Sequence, residues 1–162
     1  MKNGEPSAPQ TNELREIAQQ ASVEFAILLV IEQSLRVALQ WMAQGRGNSR
    51  KLSTLRFHVS AFERHLTRIQ ALADHGGYMH LVTDPNPHLT GEVRALEEER
   101  AMLRDSLERL VIRLDCISSD DFGGFEEICA DLERFLDHLR THNQKEAELL
   151  QCSFNQEVGG RG

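Results

Sequence analysis

His142 and Glu146 are the residues of this chain whose types and spacing most directly suggest chemistry. They lie four positions apart, so both side chains project from the same face of a helix. Imidazole and carboxylate groups presented in this way are ligands that iron and zinc take in helical bundles. His138 lies one turn earlier and extends the row at its edge. Because His142 and Glu146 fall where the surrounding pattern has leucine, each needs a partner when it is buried.

Two interpretations of this row stay open from spacing alone. In the first, His142, Glu146 and His138 bind a metal ion. In the second, the two histidines flank the core and hydrogen-bond locally, while Glu146 pairs with an arginine. Short His and Glu spacings are common by accident, which favours the second interpretation.

Three further residues are weaker metal candidates. His58 and His65 lie seven positions apart on one flank of the second predicted helix. They could combine with His138, His142 or Glu99 in a displaced site for one zinc or iron ion. An edge position without a ligand is the more common role of such histidines. We identify no catalytic residue, because the sequence has no G-x-S-x-G motif, no glycine-rich phosphate loop after a strand and no cysteine with an activating partner.

Four amphipathic segments must position these side chains, since apolar residues recur in each of them at steps of three and four. The predicted helices span about Glu13 to Ala43, Lys51 to Ala73, Glu92 to Asp115, and Phe125 to Cys152. A connection with two prolines, containing one short helical turn near Tyr78 to Val82, separates the second and third segments. Arg100 interrupts the leucine stripe of the third segment.

These patterns predict an all-α protein, an antiparallel up-down-up-down four-helix bundle with a long loop between the second and third helices. We assign residues 1–12 to a disordered N-terminal lead-in, 13–152 to the four-helix domain and 153–162 to a C-terminal tail. With 162 residues, the chain has the size of one domain.

Composition excludes several classes of partner. The net charge is −7, and no basic cluster offers a surface for nucleic acid. The longest apolar run, Phe25 to Ile31, is far shorter than the about 20 residues that cross a bilayer, so we expect no membrane partner. Three cysteines form no C-x-x-C pair and the N-terminus lacks a signal-peptide pattern, which favours the cytoplasm.

The stretch from Phe135 to Leu150, followed by Gly159-Gly160, resembles the last helix of hemerythrin-like proteins. Supporting marks elsewhere are Gly76-Gly77-Tyr78, Pro87-His-Leu, and Leu96-Glu-Glu-Glu-Arg100. The resemblance covers roughly Ala21 to Gly160. It implies a four-helix bundle that holds two irons through histidines and carboxylates from all four helices, with oxygen, nitric oxide or iron-related redox handling as the ancestral chemistry.

Most ligand positions of the hemerythrin-like pattern are replaced in this chain. An amide replaces the imidazole on the first helix, two apolar residues occupy the ligand positions of the second, and an arginine replaces the histidine of the third. The replaced positions, in chain order, are Gln33, Ile69, Ala73 and Arg100. Only the fourth helix keeps its ligands. A register slip of one turn on the second helix would bring His65 inward instead of Ile69.

Arg100 is incompatible with a metal ion close to it. If its guanidinium lay about 5 Å from a divalent ion at an effective dielectric near 20, the repulsion would be roughly 7 kcal/mol, or about five decades of affinity. The same cation can neutralise a buried carboxylate. We therefore predict a core ion pair between Arg100 and Glu146, with His142 nearby.

These observations favour a hemerythrin-like protein with a degenerate di-iron site, acting as a non-catalytic binding, sensory or structural module. We expect no enzymatic activity and no bound cofactor. The alternative is a metal-binding hemerythrin-like protein that keeps iron or zinc through His138, His142 and Glu146 and takes part in oxygen, nitric oxide or iron-related redox handling.

A third hypothesis concerns the outer surface of the bundle. Apolar residues outside the main stripes, such as Ile27, Val30 and Val111, would let a metal-free bundle pair with itself or with another protein. A homo-oligomer or a protein partner is therefore possible on this hypothesis.

Overall fold

The computed structural model of the chain describes residues 9–41, 47–74, 83 and 86–159. They form α1 (Pro9–Gln40), α2 (Gly47–Asp74), a short 3-10 helix (Pro87–Leu89), α3 (Thr90–Cys116) and α4 (Phe122–Gly159). No strand occurs in these ranges, so the prediction of an all-α protein built as a helical bundle is confirmed. Within them, no helix has the length and apolar character needed to cross a membrane.

One hydrophobic core joins the four long helices. Its most deeply buried side chains come from every one of them, for example Leu35 of α1, Phe62 of α2, Leu114 of α3 and Leu132 of α4. Burying such a side chain contributes about 1.5 to 3 kcal/mol, so the apolar stripes supply most of the driving force for assembly. The rings of Phe62 and Phe135 meet edge to face with centroids 6.3 Å apart. This contact joins α2 and α4 across the centre of the core.

Arg56 of α2 connects the two halves of the chain through backbone atoms. Its guanidinium donates to the carbonyl oxygens of Leu114, Asp115 and Ile117 at 2.9, 3.0 and 2.9 Å. The last carbonyls of a helix have no donor within the helix itself, so a basic side chain at this place satisfies and stabilises the end of α3. The position of the turn between α3 and α4 therefore depends on α2.

Helix ends differ from the sequence-based prediction at both termini of the domain. Helix α1 begins at Pro9, so residues 9–12 are helical where a lead-in was predicted. Proline is well suited to the first turn of a helix, because that turn has no use for its missing N–H. Helix α4 continues to Gly159, so residues 153–159 are helical where a tail was predicted, and no glycine or proline precedes Gly159 in that stretch. The predicted helical turn near residues 78–82 lies outside the described residues.

Helix α4 begins three residues before its predicted start because of a cap. The Asp121 carboxylate accepts a hydrogen bond from the backbone N–H of Gly124 at 3.0 Å, which satisfies a donor of the first turn. A Cβ at position 124 would lie 2.5 Å from Asp121 Oδ2, so a larger residue there would displace the capping carboxylate. Gly123 and Gly124 thus belong to the first turn of the helix and not to the preceding loop.

Candidate functional site

Arg100 of α3 and Glu146 of α4 face each other inside the bundle. The Nη2 atom of Arg100 lies 3.0 Å from Glu146 Oε1, and the two side chains are only 11% and 9% exposed. Both residues occupy stripe positions that otherwise hold leucine, which is why the packing of α3 on α4 brings them together. A charge-assisted hydrogen bond of this kind is roughly twice as strong as a neutral one. This is the geometry expected of the predicted ion pair.

His142 lies beside the pair and is 2% exposed. Its Nδ1 atom is 3.1 Å from Glu99 Oε2, and Lys145 Nζ is 3.0 Å from the other oxygen of the same carboxylate. An ionised carboxylate can only accept, so the ring carries its proton on Nδ1 and leaves a lone pair on Nε2. Nε2 is buried without a hydrogen-bond partner in the described part of the chain and lies 3.5 Å from Glu146 Oε2.

A cavity of about 20 Å³ adjoins these groups. Its lining includes Gln70 of α2 and Asn143 of α4 as well as Arg100, His142 and Glu146. This volume holds about one water molecule, which could bond to several of these polar groups. Small-molecule sites usually measure about 300 to 1,000 Å³, so this cavity is too small for an organic substrate.

A much larger open groove of about 830 Å³ lies outside this centre, between α3 and α4. Apolar side chains such as Leu96 and Leu149 line it together with Glu99 and Lys145. Glu99 therefore contributes both to the groove and to the hydrogen bond that holds His142.

Burial dominates the protonation behaviour of the centre. It raises the pKa of Glu146 from 4.5 to about 7. It also lowers the pKa of His142, although the Glu99 carboxylate acts in the other direction. The hydrogen bond from Lys145 lowers the pKa of Glu99. Near neutral pH, the centre therefore holds a neutral imidazole, an ionised Glu99 and a Glu146 close to its midpoint.

The remaining metal candidates lie in other surroundings. His138 is exposed on α4, in contrast to the buried His142 and Glu146. His65 contacts Glu24 of α1, with Nδ1 2.5 Å from Oε2, and His58 packs its ring edgewise on that of Phe57. Within the described ranges, no group of three or more His, Cys, Asp or Glu residues could hold a metal ion. Of the predicted candidates, the structure brings together only Glu99, His142 and Glu146.

The replaced ligand positions are not all at the centre. Ile69 is buried and lines the small cavity, whereas the side chain of Ala73 lies outside the described residues. Gln33 is exposed, so placing it as a degenerate ligand position facing the centre was wrong. The core side of α1 carries Glu32, and Phe25 is the α1 side chain that lines the cavity. A helix cannot direct adjacent residues such as 32 and 33 to the same face.

Two buried carboxylates on α1 were not predicted. Glu24 pairs with His65, and Glu32 accepts from Arg36 Nε at 2.9 Å. A signal for both exists in the sequence, since they lie four residues before and four residues after the core residue Leu28. Charged residues flanking an apolar run can thus belong to the buried face when their spacing matches it.

Comparisons of the chain with protein-family models, with curated proteins and with solved structures find no match. The hemerythrin-like resemblance therefore rests on the residues quoted for it.

Proposed function

We propose that this chain is an antiparallel, hemerythrin-like four-helix bundle in which Arg100 supplies the positive charge of a lost metal centre, and that it acts as a non-catalytic binding, sensory or structural module. The contact of 3.0 Å between Arg100 and Glu146 carries this proposal. A carboxylate in a bundle core needs a cation, and here a guanidinium is within hydrogen-bonding distance.

Cross-helix contacts support the antiparallel arrangement. Residues near the end of one helix contact residues near the start of the next, and the reverse also holds. The contacts in question are Glu24 with His65, Leu39 with Lys51, Arg100 with Glu146, and Arg113 with Asp131. Such reversed order is what an up-down-up-down bundle produces.

The donor set does not fit a di-iron centre. Two irons in roughly octahedral shells need ligands from several helices, whereas the fourth helix brings His142 and Glu146 to this centre. Glu99 is engaged by Lys145, and Arg100 adds a second positive charge to the neighbourhood. These residues therefore do not support iron-dependent chemistry at this centre. The cavity of about 20 Å³ supports a role that does not involve binding an organic substrate there.

The cytoplasm remains the compartment we propose. Cys116, Cys129 and Cys152 are all unbridged, and burial raises the pKa of the Cys129 thiol. Free thiols favour a reducing compartment. The net charge of −7 does not call for a nucleic-acid partner, and we propose no membrane partner.

Metal analysis of the purified protein tests the proposal. Chains prepared without added metal should contain neither iron nor zinc, in the wild type and in Arg100→Leu. Iron or zinc at one per chain that is lost in His142→Ala but kept in the matched control His58→Ala would establish the metal-binding alternative. Two irons per chain with oxo-bridge absorption would instead support the ancestral redox chemistry and overturn the proposal.

A further inference from the structure

Helix α1 carries a second row of residues on the side away from the core. This outer row consists of Val23, Ile27, Val30, Ser34 and Val37 of α1 and of Trp41, which directly follows the helix. The steps along it are four, three, four, three and four, the repeat of a coiled-coil seam. Its apolar members are exposed, with Val30 and Val37 each 67% accessible. The core row of the same helix, which includes Leu28 and Leu35, is buried.

Between positions 19 and 41, the charges of α1 are turned away from this outer row. Every residue of that segment that the structure describes as exposed is uncharged, whereas Glu16, seven positions before Val23, is exposed. The three charged residues of that segment, Glu24, Glu32 and Arg36, instead pair with side chains of α2, α4 or α1 itself. The outward face of α3, in contrast, carries the usual charged residues. Examples there are Glu97, Glu98, Arg104 and Asp105.

We propose that the outer row is the contact between two copies of this chain, with the two α1 helices packed antiparallel. The sequence of steps along the row is the same when it is read in either direction. An antiparallel pair therefore places Val23 of one copy against Trp41 of the other, Ile27 against Val37, and Val30 against Ser34. The largest side chain thus meets a small one, as close packing requires.

Ser34 fits a dry interface although its side chain is polar. Its hydroxyl donates to the carbonyl oxygen of Val30 at 3.0 Å, within its own helix. The donor is therefore already satisfied, and burying it against a second copy strands no hydrogen bond. A small residue in the middle of the row also lets the two helices approach each other.

The neighbours of the outer row favour a second copy over other occupants. Flanking charges usually select a different helix as partner, and here the flanking residues on one side are Ala26, Gln33 and Gln40. The net charge of −7 therefore does not oppose self-association at this face. A helix lying on a lipid surface would present lysine or arginine beside its apolar face, and no exposed residue described from 19 to 41 does so.

The size of the face fits the same conclusion. The apolar side chains of α1 that face outward expose on the order of 500 Å² together, at the upper end of what monomers leave in contact with water. The flanking alanine and glutamines enlarge it toward the about 800 Å² that each partner of a standard interface buries. The inference is independent of the Arg100 centre and goes beyond the function proposed above.

Sedimentation velocity over about 1 to 100 µM protein tests the dimer. The wild type should dimerise within this range, and Val30→Glu or Val37→Glu should raise the dissociation constant by at least about tenfold, because each buries a charge. The matched control is Ile112→Glu on α3, a site of similar exposure at 57%. It should leave the dimer intact. Circular dichroism checks folding, and Val30→Ser and Val37→Ser replace any glutamate variant that loses helix.

A mixing experiment tests the antiparallel register. Ile27→Lys and Val37→Glu should each be monomeric alone. Mixed in equal amounts they should form a heterodimer, since position 27 of one copy then faces position 37 of the other with opposite charge. A parallel pair would leave both charges without a partner. Trp41 is the one tryptophan of the sequence, so its emission should shift to the blue on dimer formation.

Several results would overturn the proposal. A wild type that stays monomeric across the whole range removes the second copy as occupant. A dimer that resists both Val30→Glu and Val37→Glu, or that Ile112→Glu disrupts equally, places the contact elsewhere. A mixture of Ile27→Lys and Val37→Glu that remains monomeric contradicts the antiparallel register.

Discussion

The Nδ1 atom of His142 lies 3.1 Å from Glu99 Oε2, and this contact decides which ring nitrogen faces Glu146. With the proton on Nδ1, the lone pair of Nε2 is directed toward the Glu146 side of the ring, 3.5 Å from Oε2. A protonated Glu146 can donate to that lone pair, whereas an ionised Glu146 accepts from Arg100. The carboxyl group thus has a partner in either protonation state, and the balance between them depends on pH.

The stability of the protein should depend on the titration of Glu146. Its pKa in the folded protein is about 7, raised from 4.5 by burial, so the folded state holds the proton over a range where the unfolded chain has lost it. Protonation of Glu146 in the folded state therefore stabilises the protein fully below about pH 4.5. This contribution to the free energy of unfolding, at most about 3 kcal/mol, is lost as the pH rises to about 7.

Urea unfolding at several pH values measures this effect. The free energy of unfolding of the wild type, relative to Glu146→Gln, should fall between about pH 4.5 and 7. Glu98→Gln, at an exposed position of α3, is the control and should follow the wild type. A difference between wild type and Glu146→Gln that stays level with pH would contradict the assignment.

Removing the guanidinium should destabilise the protein most at high pH. At pH 8, Arg100→Leu leaves an ionised carboxylate buried without its cation, which should cost about 3 to 5 kcal/mol. At pH 5.5 the cost should be smaller, because Glu146 can take up a proton. Arg94→Leu removes the exposed pair with Glu98 on the same helix and should cost at most about 1 kcal/mol at either pH. Equal losses for the two variants would argue against a buried pair.

Replacing both members of the pair should recover the stability that either single change removes. Arg100→Leu combined with Glu146→Leu continues the apolar stripes of α3 and α4 and leaves no charge unpaired. Buried ion pairs replaced in this way are often neutral or more stable by about 1 to 4 kcal/mol. A double-mutant cycle in urea measures the coupling. Losses that simply add would show that the two groups do not interact.

The pair between Glu24 and His65 should be one of the polar links that hold α1 to α2. His65→Ala removes a contact of 2.5 Å at a largely buried carboxylate and should cost about 1.5 to 3 kcal/mol. For a chain of this size, that lowers the melting temperature by several degrees. His138→Ala, at an exposed position, is the control and should melt with the wild type. Similar melting of the two variants would show that the pair contributes little.

Periodicity alone was sufficient for the third helix. Leu103, Leu107, Leu110 and Leu114 are all buried, as their three-four alternation predicts. The arginine within that stripe then identified the centre, because a long cation in a leucine position must find a buried anion. The strongest inference from sequence thus came from a residue that breaks the leucine pattern, and not from the pattern itself.

Periodicity also separated the two apolar rows of the first helix. Leu28 and Leu35 of the main stripe are buried, whereas Ile27 and Val30, which lie outside it, are exposed. Gln33 was placed by the resemblance to hemerythrin-like proteins and not by apolar spacing, and it is exposed. Helix ends were missed for another reason, since Asp121 caps α4 through a side-chain contact and not through apolar spacing.

The hydrogen bonds from Arg56 to three carbonyl oxygens have a consequence for local unfolding of the protein. The oxygens belong to the last residues of α3 and the turn that follows, while the guanidinium comes from the preceding half of the chain. When α2 is not docked beside the turn, these three carbonyl oxygens lose the guanidinium that donates to them. Slow-exchanging amides of α2 and of the end of α3 should therefore become exposed to deuterium together, as one cooperative unit.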